Sequence, residues 1–406
     1  MSARLRLAGA TVIDGLGGDP VRADVLLEGG RIAAVGTNGT AGGAETIDVS
    51  GLTLLPGLID AHTHLGIVDN KVPGTPPAIV LGHIARNCAR ALEAGFTTVR
   101  DVGGLDGGMA RAIAEGLFAG PRVLPVGPII CEVGGNGDLE PACSCSGARW
   151  NQGLPGLSVI GAPCRGPDEV RAAARMALRR GASQVKVSLN TLQALEGGSS
   201  PETEFTVDEV RAAVLEARAK GTYVTAHALN SHGVRIGLEA GVECLEHGGI
   251  ADEEIANAVA QAGIPLVPTL SMQWLIEHRE VHAEGDADAA VAYAGSSGRE
   301  MRDSLVLARA HGIRVGLGSD LEGVDQVRRG LELVLRAEVE SPMDAIVAAT
   351  SVNAQIIRRP DLGRIEPGAT ADLVAFAGDP LSDPAIFDDP ERVRLVVQGG
   401  SIVKRA

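Results

Sequence analysis

Two hydrophobic patterns alternate through the middle of the chain. Apolar residues recur at helical spacing in PPAIVLGHIARNCARALEAG, PDEVRAAARMALRRG and VDEVRAAVLEARAKG. Each of these stretches precedes a short apolar run: FTTVRDVG, ASQVKVSLN and TYVTAHALN. ADEEIANAVAQAG before IPLVPTL, and MRDSLVLARAHG before IRVGLGSD, continue the rhythm. Repeated α-then-β units imply parallel strands joined by helical crossovers. About eight strand candidates over roughly 300 residues suit a (β/α)8 TIM barrel of α/β class. A doubly wound dinucleotide-binding sheet is disfavoured, because no strand is followed by GxGxxG.

The two ends read differently. RLRLAGATVIDG, DVLLEGGRIAAVG and ETIDVSGLTLLPG at the start are short strands punctuated by Gly and Asp, and ADLVAFAGDP and VRLVVQGGSIVK repeat the style at the tail. VLLEGGRIAAV and VVQGGSIVKRA echo one another as strand, Gly-Gly turn, strand. The ends are therefore expected to pair into one small β domain, residues 1–56 with 359–406, around a barrel at 57–358.

Composition narrows the function classes. The net charge of −15 repels polyanions and anionic membranes, and aromatics at 2% leave little for base stacking. Nucleic acid and membrane are thus not expected partners, and a small molecule is. No run of 18 apolar residues suggests a membrane span. The opening MSARLRLAGATVIDG lacks the apolar core and cleavage site of a secretory leader, so a soluble cytoplasmic protein is expected. Of six cysteines, Cys131, Cys143, Cys145 and Cys164 are clustered. Cys143-x-Cys145 is too tight for the usual zinc-knot spacing, and reduced thiols are the favoured reading; a disulfide within the segment has no connectivity readable from sequence.

In a barrel, catalytic groups close the C-terminal ends of strands. His62 and His64 follow LLPGLIDA, two apart and so facing the same way. Lys186 lies inside VKV; His227 follows YVTA; His247 follows VECLE; Asp320 follows IRVGLGS. Singly, each has an ordinary explanation: a core histidine, a snorkelling lysine, an aspartate capping a helix. Together they require five coincidences at one end of one barrel. Imidazoles and a carboxylate aimed at one point are metal-site chemistry. His83 and His311 on helical stretches, and His278 and His282 in a polar segment, do not fit the pattern. His232 either lines the pocket or faces solvent. Strand alternation turns Glu246 away from the site.

LPGLIDAHTHL, Lys186 in VKV, His227 in TAHA, His247 in LEHGG and Asp320 in GSD resemble the amidohydrolase superfamily of metal-dependent hydrolases. EAGFTTVRDVGG, GPDEVR, LEHGG and GIPLVPTL are similar to its imidazolonepropionase-like and Xaa-Pro dipeptidase-like branch. The resemblance implies that the β domain formed by the two ends is a split β-sandwich, and it implies two divalent metal ions, with zinc expected. His62, His64 and Asp320 would hold one, and His227 and His247 the other. Lys186, carboxylated by CO2, would bridge them. It further implies hydrolysis of an amide bond in a dipeptide or N-acyl amino acid by a hydroxide bridging the metals. Asp320 would carry the proton to the leaving amine, and a metal or His227 would polarise the carbonyl. A homo-oligomer is expected on the same ground. The alternative is hydrolysis of a cyclic amide, lactam, lactone or carbamate. A deaminase is less supported, since such relatives typically lack the bridging lysine, and a non-catalytic scaffold would have lost ligands that are all present. Two loops depart from the branch. GGNGD places Asn136 where a histidine is frequent, with Asp138 following, and SLNTLQALEGG replaces a short Gly-rich turn after Lys186. Arg149, beside Trp150 in a candidate lid, would pair with a substrate carboxylate or remain solvated.

Overall fold

The computed structural model describes residues 4–36, 43–68, 75–138, 152–190, 203–281, 287–324 and 326–406. Leu58–Thr63, Phe96–Asp101 and Arg122–Pro125 form a parallel three-stranded sheet. Ile129–Glu132, Val185–Ser188, Val224–Ala228, Cys244–His247 and Leu266–Val267 run parallel, in that order, in a second sheet. The sheets adjoin where the chain bends between Pro125 and Ile129. There Val126 N–H donates to Asp101 O at 3.0 Å, and Ser183 N–H to Pro125 O at 2.7 Å. The inner strands are buried on both faces, which is why they read as continuous apolar runs rather than alternating ones. Helices Gly166–Arg179 and Val207–Ala219 cover them with Val170, Ala173, Val210 and Ala213, small side chains that let helix and sheet approach closely.

The run IRVGLGSD, expected as a strand, makes only one ladder bridge among the described residues, Val315 with Leu266. The reason is steric. A Cβ on Gly318 would lie 2.3 Å from His62 Cβ, and one on Gly316 would lie 2.5 Å from Asn353 Oδ1. The backbone here is pressed against its neighbours, and the Asn353 amide replaces part of the ladder. Its Oδ1 accepts from Leu317 N–H at 3.0 Å, while its Nδ2 donates to Ile59 O at 2.7 Å and Leu317 O at 2.8 Å. Ala61 N–H also donates to Leu317 O, and Asp320 N–H to His62 O, at 3.0 and 2.8 Å. The segment carrying Asp320 is thereby fixed beside the strand carrying His62.

Both chain ends share one eight-stranded sheet, ordered Ser401–Arg405, Val393–Gln398, Leu373–Ala377, Leu52–Pro56, Arg4–Val12, Val21–Glu28, Arg31–Gly36, with Glu45–Asp48 also paired to Arg4–Val12. The two Gly-Gly hairpins turn through positive φ at both glycines, 61° and 77° at Gly29 and Gly30, 56° and 81° at Gly399 and Gly400. The turns also touch: a Cβ on Gly400 would come within 2.9 Å of Gly30 Cα. Cys88, Cys131 and Cys244 are buried free thiols, and Cys164 is buried; Cys143 and Cys145 lie outside the described residues. No helix among the described residues is long and apolar enough to cross a membrane.

Candidate metal centre

His62, His64, Lys186, His227, His247 and Asp320 line one pocket of about 480 Å³. Strand register explains the convergence. Ser188, two residues after Lys186, pairs with His227, and Ala228 pairs with His247. His62 Nε2 and His64 Nε2 each lie 3.1 Å from the same oxygen, Asp320 Oδ1. His62, His247 and Asp320 offer donor atoms that all fall within 4.8 Å of one another. The His227 and His247 rings are 4.4 Å apart, those of His62 and His247 4.6 Å. His247 and Asp320 sit in the left-handed backbone region, at φ 73° and 57°, a strain characteristic of functional positions.

The donor set fits divalent cations that bind nitrogen and oxygen. His62 Nε2, Lys186 Nζ and His227 Nε2 are buried without a hydrogen bond, although His62 Nε2 closely approaches Asp320. Leaving such groups unsatisfied costs about 1–3 kcal/mol each, which ligation would offset. The remaining ring nitrogens are held from behind. His62 Nδ1 lies 2.7 Å from Glu246 Oε2, His64 Nδ1 2.9 Å from Gly103 O, and His247 Nδ1 2.8 Å from Thr269 Oγ1. A proton on each Nδ1 leaves Nε2 as the ligand atom.

Charge within the pocket follows from burial and neighbours. Burial pulls the Lys186 ammonium down to about 8, against Glu246 and Asp320, which favour its charge. Burial, then Lys186, pulls His227 down to about 3, so it is neutral. Burial and His227 likewise hold His247 well below the usual imidazole range. Burial alone would raise Asp320, but the imidazoles of His62 and His247 override it and keep the carboxylate ionised. Burial would lower His64, yet its contact with Asp320 raises it to about 9, so metal binding would displace a proton there.

Glu246 does not line the pocket, as alternation implied, but it is not a bystander. Its fully buried carboxylate accepts from Arg100 Nη2 at 2.6 Å and from Thr225 Oγ1 while contacting His62. Burial would raise it, but Arg100 and His62 hold it ionised. Arg100 also reaches Tyr223 and the Ala61 carbonyl. A second buried pair, Asp60 with Arg329, clips the first strand to Ser319, whose hydroxyl donates to Asp60 Oδ2 at 2.6 Å. The sequence signal for both pairs was a charged residue inside an otherwise apolar strand.

Of the other candidate residues, Asn136 lines the pocket. Glu204 pins its loop, accepting from Glu132 N–H at 3.1 Å, Asn136 N–H at 2.9 Å and Ser188 Oγ at 2.7 Å. Asp138 accepts from Gly134 N–H at 3.0 Å, holding the turn, and is not among the described lining residues. His232 is exposed on the first turn of Ser231–Ala240 and is likewise not among them. Arg149, Trp150 and His282 lie outside the described residues. His278 stacks on Trp274, and His311 pairs with Glu253, away from the pocket.

Replacing Arg100 with Leu leaves the Glu246 charge buried and unpaired. Denaturant unfolding should record a loss of about 3–5 kcal/mol. Metal titration of the purified variant should record a 10- to 100-fold loss of affinity, on the order expected when a ligand's supporting partner is disturbed. Unaltered affinity would mean that Glu246 does not orient His62.

The amidohydrolase family model matches residues 53–403. Ochratoxinase of Aspergillus niger is 30% identical over 369 residues, covering 86% of this chain and 75% of its own. A prolidase solved in complex with N-methylphosphonate-L-proline is similar at a TM-score of 0.91 and 32% identity, covering 100% of both chains. A Xaa-Pro dipeptidase with methionine bound in its active site is similar at 0.85 and 27%, covering 99% of this chain and 100% of that one. These neighbours imply a TIM-barrel fold, and the strand-end motifs of the sequence agree with them. The chain belongs to the amidohydrolase family.

Proposed function

We propose that this chain hydrolyses an amide bond of a small dipeptide or N-acyl amino acid at a centre of two divalent metal ions, with zinc the expected metal. Its family relatives are hydrolases of C–N bonds. One observation carries the finer reading. Two imidazole nitrogens crowd a single Asp320 oxygen, with the unpartnered amine of Lys186 buried in the same pocket. A cluster arranged for hydrogen bonding would not leave that amine empty; one arranged for cations and a carbamate would.

In this reading His62, His64 and Asp320 would hold one ion and His227 and His247 the other, and Lys186, once carboxylated, would serve as a ligand to both. The neutral Lys186 nitrogen attacks the carbon of CO2 and releases one proton. The resulting carbamate presents two oxygens and one negative charge, where an ammonium would repel cations. When bound, the ions supply Lewis acidity, which makes water a nucleophile near neutral pH and polarises the scissile carbonyl. Asp320, kept ionised, takes the proton from the attacking water and returns it to the departing amine nitrogen. Water oxygen adds to the carbonyl carbon, the C–N bond breaks, and a carboxylate and an amine leave. We also assign residues 57–358 to a closed (β/α)8 barrel, and residues 1–56 with 359–406 to a β-sandwich. The sheet shared by the two ends supports this division.

Assays over a panel of dipeptides and N-acyl amino acids test the reading. Asp320→Asn and Lys186→Ala should each cost about 10²–10⁴-fold in kcat/KM with unchanged circular dichroism. A metal-replete Asp320→Asn protein working at the parent rate would sink it. Lys186 adds a pH signature. Its reactive neutral form increases as pH rises through about 8. At fixed dissolved CO2, reactivation of decarboxylated protein should therefore speed up about tenfold per pH unit below that value and level off above it. A flat profile would argue against carbamate formation on this amine.

A further inference from the structure

Beside the candidate ligands the pocket is lined by aliphatic side chains, those of Ile129, Ile160, Leu229, Met272, Ile276 and Met301. On the same helix as Met272 and Ile276 sits a polar side chain with an unpartnered atom. Gln273 lines the pocket and is only 5% exposed, and its Oε1 accepts no hydrogen bond. A buried amide oxygen among aliphatic groups is costly to leave empty, because no neighbour replaces the water it lost.

The position of Gln273 is fixed. It lies on helix Leu270–Glu277, which begins just after Leu266–Val267. Thr269, before the helix, holds His247. Two residues before Gln273, the Ser271 N–H and hydroxyl both donate to Glu332 Oε2 at 2.7 Å. Glu332 is fully buried, so its carboxylate anchors the first turn from outside the helix. On the far side Gly298 of helix Ala287–Ala310 lets the two helices meet closely: a Cβ there would lie 3.4 Å from Gln273 Cβ. The same short segment thus supports a candidate metal ligand and carries a pocket-lining amide whose oxygen has no partner, with little freedom to separate the two.

We propose that Gln273 is a specificity-determining residue. Its Oε1 accepts a hydrogen bond from an N–H or O–H of the substrate, borne beside an aliphatic portion that fills the surrounding wall. The substrate class is therefore an aliphatic amide with a hydrogen-bond donor close to the scissile group, in preference to the same amide without it. This inference rests on the amide-hydrolase reading above for its chemistry, but its binding content stands apart from turnover.

The test uses two substrate pairs. Leucyl-proline against 4-methylpentanoyl-proline removes donors on the acyl side. N-acetyl-leucine against N-acetyl-N-methyl-leucine removes the N–H on the amine side. Each pair is offered to the parent protein and to Gln273→Met, which keeps the length and removes both amide atoms. The parent should favour the donor-bearing member of at least one pair by about 5- to 100-fold in kcat/KM. Gln273→Met should erase that preference, with an unchanged or raised melting temperature because an unsatisfied group is gone. Turnover without preference, or a preference that survives Gln273→Met, would overturn the role of Gln273. If no amide is turned over, the hydrolase reading fails instead. Calorimetric titration of the same pairs then decides the Gln273 claim: a preference lost in Gln273→Met sustains it, and equal binding of both members refutes it.

Discussion

A fully buried ion pair lies at the root of this site. Arg100 and Glu246 come from strands that are both sealed from water, and neither charge could be kept there alone. Their pairing does more than cancel. Glu246 has a second oxygen to spend, and it faces His62 Nδ1. A salt bridge between strands of the two sheets thereby sets which nitrogen of a pocket histidine faces the other ligands. Asp60 and Arg329 do the corresponding work one layer away, clamping the Gly-rich segment that carries Asp320 onto the strand that carries His62. Metal-site geometry of this kind depends on what stands behind the ligands as much as on the ligands.

The electrostatics of the pocket follow the same logic. Burial pushes Lys186, His227 and His247 toward neutrality, while contacts with His62 and His64 help keep Asp320 ionised. Neutral nitrogens and an ionised carboxylate are the protonation states that cations require, and His64, raised to about 9, would reach its state by losing a proton as the cation binds. A pocket built to function empty would more economically have paired Lys186 with an acceptor.

Much of this was legible in the sequence, for identifiable reasons. The α-then-β rhythm exposed strand ends in order, so polar residues closing apolar runs could be gathered into one cluster before any contact was known. The Gly-Gly echo of the two termini foretold matching hairpins in a shared sheet. Strand alternation placed Glu246 off the pocket correctly, but a period of two says only which way a side chain points, not what waits there. Arg100, 146 residues from Glu246 along the chain and in the other sheet, could be paired with it only once the fold was known. The run before Asp320 read as a strand because its apolar pattern is strand-like; its glycines serve close packing, and the Asn353 side chain takes over bonds that a regular ladder would make. Gln273 carried no signal at all, since an unsatisfied amide is a property of surroundings rather than of residue type.

The central claim is that these six side chains hold a pair of metal ions around Lys186. Elemental analysis of protein purified without chelator tests it most directly, read together with the carbamate carbon resonance after supply of ¹³C-bicarbonate. The account predicts close to two transition-metal ions per chain and a labelled carbamate that is lost in Lys186→Ala. One ion per chain with no carbamate, or none after metal and bicarbonate are both supplied, would contradict it.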